Sequence, residues 1–381
     1  MMTGWRIISL LPLLMAVWLM LASLAVAQSP LPLSPVIWSE NPDVVQRFAV
    51  NADAVRGMFD RSLFKLTSSD DLATAWTRLG ITSQDVVGIK ISTLGGTLGS
   101  THRALIQAIC EGLRAAGVSN EHIIIWDKDG NIMRSAGYSP IAGTDEHPCI
   151  ASVYPGTGYD PSVVYKNEIM GTLIWGDSEF TRDGNDIPTS IGHRNFDGTP
   201  VDSDSGNNAL LGDSIKQTSN DSHYARLITG TCTKIINVPV LTDNPYIGLQ
   251  GCLGSLALGS VDNNRRFQGE PTYGDPAICE ILDKDFIRHK VVLHVLDALV
   301  PQYAGGPNFD PQFTRSIGAL YVSRDPVAID SIVLKRVEYW RRTDQNGRLD
   351  PIGRIASHIH SAASYNLGTD DLQRIQLIRV P

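Results

Sequence analysis

The sequence predicts an α/β fold: a mainly parallel β-sheet flanked by helices, with a loop-rich insertion. Three observations carry this. Short apolar runs recur along the chain at 86–92, 122–127, 233–241, 291–299 and 317–323, and runs apolar throughout belong to strands covered on both faces. Between them lie segments with apolar residues at helical spacing, such as Leu105, Ile109 and Leu113. The strand, helix and strand from Val86 to Asp127 then form one right-handed crossover unit.

Taken in order, the chain opens with a segment outside the fold. Residues 1–27 carry one positive charge, Arg6, then a long apolar stretch ending in Ala25-Val26-Ala27. This is the pattern of a cleaved secretory signal peptide. Cleavage before Gln28 leaves 381 − 27 = 354 residues, read as a single α/β domain over 28–381. The expected location is periplasmic or extracellular. The rival is an uncleaved anchor, because Ile7–Leu24 is nearly long enough to span a bilayer. No second stretch approaches that length, so the mature chain has no expected membrane span.

From Gln28 to Glu40 the chain is proline-rich and reads as an extended lead-in. Helices follow near Ala52–Leu66 and Asp70–Leu79, then the strand "VVGIKIS". A helix from Thr101 to Ala116 is stopped by Gly117, and the strand "HIIIWD" follows. Residues 139–230 form the loop-rich insertion, with short apolar runs "CIASVY" and "GTLIW" and room for a small hairpin. The α/β pattern resumes with strand Thr233–Leu241, helix Asp275–His289 and strands Val291–Leu299 and Ile317–Ser323. Asp325 as N-cap and Pro326 at the first helical position then start a long helix. A helix near Arg354–Tyr365 and the strand "IQLIRV" close the chain.

Composition excludes some functions. The net charge is −8 with acids and bases scattered, so there is no basic face for nucleic acid. Cys110, Cys149, Cys232, Cys252 and Cys279 are the cysteines. Their odd number leaves at least one unpaired within the chain, and their spacing gives no local iron–sulfur or zinc motif. "DKDGN", "DGND" and "DQNGRLD" hint at calcium loops but lack a full ligand ladder. His358 and His360 are two apart on a predicted helix, which sends them to different faces. No metal site is assigned, and the cofactor and protein partners are left unknown.

Ligands of parallel sheets collect beyond the carboxyl ends of the strands. That rule selects Lys90, Ser92, Gly95, Gly96, Gly99, Ser100 and Thr101 after the first strand, and Asp127 and Lys128 after the second. It selects Thr242, Asp243 and Asn244 after the third, Gly306 after the strand ending near Leu299, and Asp325 after the next. Glycines and the helix start at Thr101 suit an anion. Yet "GGTLGST" is neither a dinucleotide fingerprint nor a P-loop, and a plain strand-to-helix turn explains it equally. A lone buried ammonium is costly. Lys90 therefore reaches water, pairs with a carboxylate such as Asp127, or meets an anionic ligand.

Several segments together resemble the family of domain of unknown function 362 (DUF362). These are "ATAWTRLGITSQDVVGIKISTLGG", "STHRALIQAICEGLRAAGVSNEHIIIWD", "TKIINVPVL", "GLQGCLGSLALGSVDNNRRF", "VLHVLDALVPQYAGGPNF" and "GALYVSRDPVAIDSIVLKRV". The resemblance implies an α/β fold and an exported, single-domain member without ferredoxin clusters. It also marks departures. Relatives tend to read K-I-N or K-V-N where this chain has Lys90-Ile91-Ser92, L-K-D-H where it has Leu241-Thr242-Asp243-Asn244, and C-L-K-N where it has Cys252-Leu253-Gly254-Ser255. Lys90 is kept and the other two lysines are gone.

The expected function is binding of a small anionic ligand at the carboxyl edge. Lys90, Asp127 and Asp325 are the candidate catalytic groups if the protein is an enzyme. Ser92, Gly95, Gly96, Gly99, Ser100, Thr101, Thr242, Asp243 and Gly306 are the candidate binding groups. For Asp325, an N-cap role alone accounts for the residue. The alternative is a non-catalytic binding or structural protein with a degenerate site.

Overall fold

The computed structural model describes residues 33–173, 218–343 and 349–381. The expected signal peptide and the loops "DGND" and "DQNG" lie outside these residues.

A ten-stranded mixed sheet forms the frame. Its strands are β1 (Ser34–Glu40), β4 (Val87–Ile91), β5 (Ile123–Asp129), β6 (Cys149–Tyr154), β9 (Lys234–Val238), β10 (Val240–Asn244), β11 (Gly248–Leu249), β12 (Val291–Gln302), β13 (Ala319–Ser323) and β14 (Ile375–Val380). Their order is β14-β1-β13-β12-β9-β4-β5-β6 with β10 and β11 alongside. The short strands β2 (Val45–Gln46) and β3 (Ala49–Val50) pair separately. From β6 through β5, β4 and β9 to β12 every pairing is parallel. Strand β13 runs antiparallel to both β12 and β1, and β14 is parallel to β1. The expected mainly parallel α/β sheet is thus the architecture, with one reversed strand.

Helices cover both faces. On β4, Val87, Ile89 and Ile91 point to one face, as the two-residue period of a strand requires. There they meet α1 (Ala52–Thr67), α2 (Leu72–Arg78) and α4 (Arg103–Ala115) through Phe59, Trp76, Leu105, Ile109 and Leu113. On the other face Ile124, Trp126 and Ile235 pack with α6 (Cys252–Ser260), α7 (Ala277–Leu282), α9 (Pro326–Thr343) and α10 (His358–Ser364). No described helix is long and apolar enough to cross a membrane.

Several elements differ from expectation. Ser34–Glu40 is a sheet strand, not a lead-in, pairing with β13 and β14. "CIASVY" is β6 and joins the main sheet. The hairpin of the insertion is a long ribbon of β7 (Tyr159–Thr172) and β8 (Thr218–Ala225). The expected helix 275–289 is broken at Asp283-Lys284 into α7 and α8 (Asp285–Arg288). The helix expected from Thr101 starts at Arg103, and a separate short turn, α3 (Gly96–Gly99), precedes it. All five cysteines are free thiols, and only Cys149 is not fully buried.

The second face carries a polar row. Register aligns Lys90 with Asn237, Asn237 with His294, and His294 with Ser323 on four adjacent strands. Asn237 Nδ2 donates to the Cys252 carbonyl of α6 and lies 3.2 Å from His294 Nδ1. Burial lowers the His294 pKa to about 3.

In α10, His358 is fully buried and neither ring nitrogen has a partner among the described residues. Burial lowers its pKa to about 4, with Asp275 opposing. The unfolded chain therefore binds this proton from pH 6.5 downward and the fold only near pH 4, so stability is present above 6.5 and is lost as pH falls. Between pH 7 and 4.5 the native protein is expected to lose about 2–3 kcal/mol more than His358→Gln. Denaturant titrations at the two pH values measure this. Parallel losses in both proteins would show that His358 does not titrate differently on folding.

Candidate functional site

The carboxyl ends of β4, β5 and β10 converge on a cleft of about 680 Å³. Its floor is set by how β4 meets α6. Lys90 follows Ile89 on the strand and so points to the opposite face, under Gly259 of α6. A Cβ on Gly259 would stand 2.3 Å from Lys90 Cε, so glycine there lets the helix lie on the lysine stem. The ammonium is 3.0 Å from Asp127 Oδ1, donates to the Ile91 carbonyl at 2.6 Å and sits 5.8 Å from the Trp126 ring centroid. Its side chain is 3 % exposed.

Asp127 is fully engaged. Its Oδ2 accepts from the Thr93 amide at 2.9 Å and hydroxyl at 2.6 Å, and its Oδ1 accepts from the Lys128 amide at 2.8 Å. Asp129 next to it caps α5 (Gly130–Ser135), accepting from the amides of Asn131 and Ile132. That is the local role of "DKDGN". No group of three or more metal-ligating side chains occurs among the described residues.

The cleft gathers some predicted residues and leaves others out. Lys90, Ser92, Asp127 and Gly306 line it. Ser92 Oγ lies 2.9 Å from Ser255 Oγ on α6, so the two serines face each other on the floor. Asp243 stands behind the wall. Its Oδ1 accepts from the Gly306 amide at 2.9 Å and Oδ2 is 3.6 Å from Arg341 Nη1. Burial raises its pKa against both contacts. Thr242 Oγ1 donates to the carbonyl of Asp243 at 3.2 Å.

The glycine loop is not at the cleft. Gly95, Gly96, Gly99, Ser100 and Thr101 do not line it. The amides of Gly96, Gly99 and Thr101 donate to the carbonyls of Thr93, Gly95 and Ser92. Ser100 Oγ donates to the Thr93 carbonyl, and Thr101 Oγ1 bridges the Ser92 amide and the Val238 carbonyl. The glycines serve close packing: a Cβ on Gly95 would meet the Gly99 carbonyl at 2.2 Å, and one on Gly99 the Phe309 ring at 2.6 Å.

Asp325 is placed at the other edge of the sheet. Strand β13 runs opposite to the parallel set, so its carboxyl end leaves the fold where the others begin. There Asp325 Oδ1 accepts from the Ala328 amide at 2.8 Å, while Oδ2 accepts from Ser34 Oγ at 2.7 Å and the Thr369 amide at 3.0 Å. It is an N-cap that ties three segments together. Burial raises its pKa.

Other lining residues were not singled out from sequence. Gln250 is 6 % exposed. Its Oε1 accepts from Asn244 Nδ2 at 2.7 Å, and its Nε2 has no partner among the described residues. Gln268 donates to Asn264, and Arg265 and Tyr246 are exposed at the rim. Gln250, Asn264, Arg265 and Gln268 come from the stretch "GLQGC…VDNNRRFQGE", where Asn263 adopts a left-handed φ of 40°. Its latter part, from Val261, follows directly on α6, which the sequence reading did not include.

A crystal structure of a Thermotoga maritima protein, solved as a structural-genomics target, is similar with a TM-score of 0.36 and 9 % identity over 83 % of this chain. This chain spans 59 % of that one. No curated protein matches. The family model for the domain of unknown function DUF362 matches residues 215–335, the segment that supplies Asn244, Gln250, Ser255, Arg265, Gln268 and Gly306 to the cleft. Residues 215–335, about a third of the chain, are thus similar to the DUF362 domain.

Proposed function

We propose that the protein binds a small anionic ligand in the carboxyl-edge cleft, in a binding rather than a catalytic role. The observation that carries this is the charge lining the cleft. Lys90, Lys128 and Arg265 face it with Asp127 and Asp129. Both carboxylates are committed to amides of their own chain, and Asp127 also holds Lys90. The excess is positive, and Arg265 at the rim is the cation best placed to receive an anion. The mutual pairing of Lys90 and Asp127, with Asp127 also accepting from Thr93 and Lys128, supports a framework role for this pair in place of acid–base work. Asp325, at the far edge, belongs to the framework too. Export of the mature chain from residue 28 is part of the same reading, supported by the N-terminal sequence pattern.

Calorimetric titration with inorganic phosphate, citrate and gluconate tests the reading. Arg265→Ala is expected to weaken the tightest of them by about tenfold, near 1–2 kcal/mol. Raising salt is expected to weaken it further. Affinity unchanged by both the substitution and salt would refute an anionic ligand.

A further inference from the structure

We infer that the ligand is a polyhydroxylated acid, a compact chain or ring carrying several hydroxyls and one anionic group. This rests on the cleft being a site for anions, and it follows from which polar groups there remain unspent. On the cleft floor the charge that would hold a bare oxyanion is already matched. The Lys90 ammonium gives two of its three N–H donors to Asp127 and the Ile91 carbonyl, and the amides of Gly96, Gly99 and Thr101 close their own turn.

The groups left over are neutral and of both senses. Gln250 keeps two N–H donors on Nε2, because its only side-chain bond uses Oε1. That donor belongs to a residue buried on the cleft wall, where it has no partner among the described residues. Ser92 and Ser255 share one hydrogen bond, which leaves one O–H and unused lone pairs on the floor. Gln268 spends its Nε2 on Asn264 and keeps Oε1 as an acceptor. The Asn308 carboxamide is exposed on the opposite lip.

Acceptors decide the class. A carboxylate offers only lone pairs and hydrogen phosphate one or two O–H donors, so neither satisfies Gln268 Oε1 and the serine hydroxyls together as a row of hydroxyls does. A hydroxyl donates and accepts, and so satisfies both kinds of group. The Tyr246 ring, 54 % exposed at the rim, offers an apolar face for the C–H side of a polyol. Arg265 then takes the single anionic group. The cleft volume of about 680 Å³ is in the range of small-molecule sites and far larger than an inorganic ion needs.

Calorimetry on the full chain with matched pairs tests this: glucose 6-phosphate against inorganic phosphate, gluconate against hexanoate, and glucose alone. The polyhydroxylated member of at least one pair is expected to bind about tenfold or more tightly than its partner. Gln250→Leu and, separately, Ser255→Ala are expected to erase that preference, with thermal unfolding run beside them to verify folding. Equal affinity within both pairs would overturn the polyol inference and leave the anion reading standing. Glucose binding as tightly as glucose 6-phosphate and gluconate would overturn the anion reading and leave the hydroxyl recognition standing. Failure of every probe to bind below about 10 mM would overturn both.

Discussion

Lys90→Met is expected to lower the unfolding free energy by about 3–5 kcal/mol, and Asp127→Asn by a similar amount, whereas the double variant recovers most of the loss. The reason is the placement of the pair. Both side chains are almost wholly out of solvent, so either charge left alone stays in a low-dielectric floor. After Lys90→Met, Asp127 keeps the Thr93 and Lys128 donors but no countercharge. After Asp127→Asn, the ammonium keeps the Ile91 carbonyl and the face of Trp126. The double variant buries neither charge, and asparagine still offers an acceptor to Thr93. Methionine also retains the stem on which Gly259 rests, which separates the charge effect from a cavity effect. Denaturant unfolding at pH 7 of the four proteins completes the cycle. Costs that simply add, or single losses below about 1 kcal/mol, would mean that water screens the pair.

What could be read from sequence alone was whatever a single segment decides. The strand around Lys90 and the helix with Leu105, Ile109 and Leu113 each announce their own period, and the Asp325-Pro326 helix start is a local signal. The pairing of Lys90 with a carboxylate was legible only as one of three outcomes for a lysine in an apolar strand, beside reaching water and meeting an anionic ligand. Strand direction was not legible. Nothing in "IGALYVS" distinguishes a reversed strand from a parallel one, so Asp325 was grouped with residues at the opposite edge. Strand β1 was obscured by Pro35, which is tolerated because it lies at the start of the strand. Helix α6 was missed for a different reason. All nine of its residues are buried, and a helix covered on every side has no amphipathic period to find. With α6 unseen, the Gln250–Gln268 stretch had no sheet to face, and most of the cleft's unspent groups were out of reach. The glycine loop illustrates the converse: a pattern able to hold an anion was instead closed on itself by contacts among Thr93, Gly95 and Gly99.

The start of α6 sets the second large expected effect. The Asp330 side chain from α9 is fully buried, and its two oxygens accept from the Cys252 amide at 2.7 Å and the Leu253 amide at 2.9 Å. These are N-terminal donors that no intrahelical carbonyl can satisfy. Asp330→Ala removes both acceptors where water does not reach, at about 1–3 kcal/mol for each orphaned N–H, so a loss of about 3–5 kcal/mol is expected. Because α6 carries Ser255 and Gly259 onto the cleft floor, loosening of its first turn is expected to weaken ligand binding as well. Asp330→Asn keeps an acceptor and isolates the charge. Burial raises the Asp330 pKa to about 7, against the pull of the two amides. The fold therefore holds this proton between pH 3.8 and about 7 while the unfolded chain has released it. The contribution is full below pH 3.8 and is lost as pH rises through about 7. Relative to Asp330→Asn, the native protein is expected to lose about 4 kcal/mol of stability between pH 4 and pH 8. Denaturant midpoints across that range read the difference directly. A constant gap would show that Asp330 stays ionised throughout, its charge held by the N-terminus of α6 and not suppressed by burial.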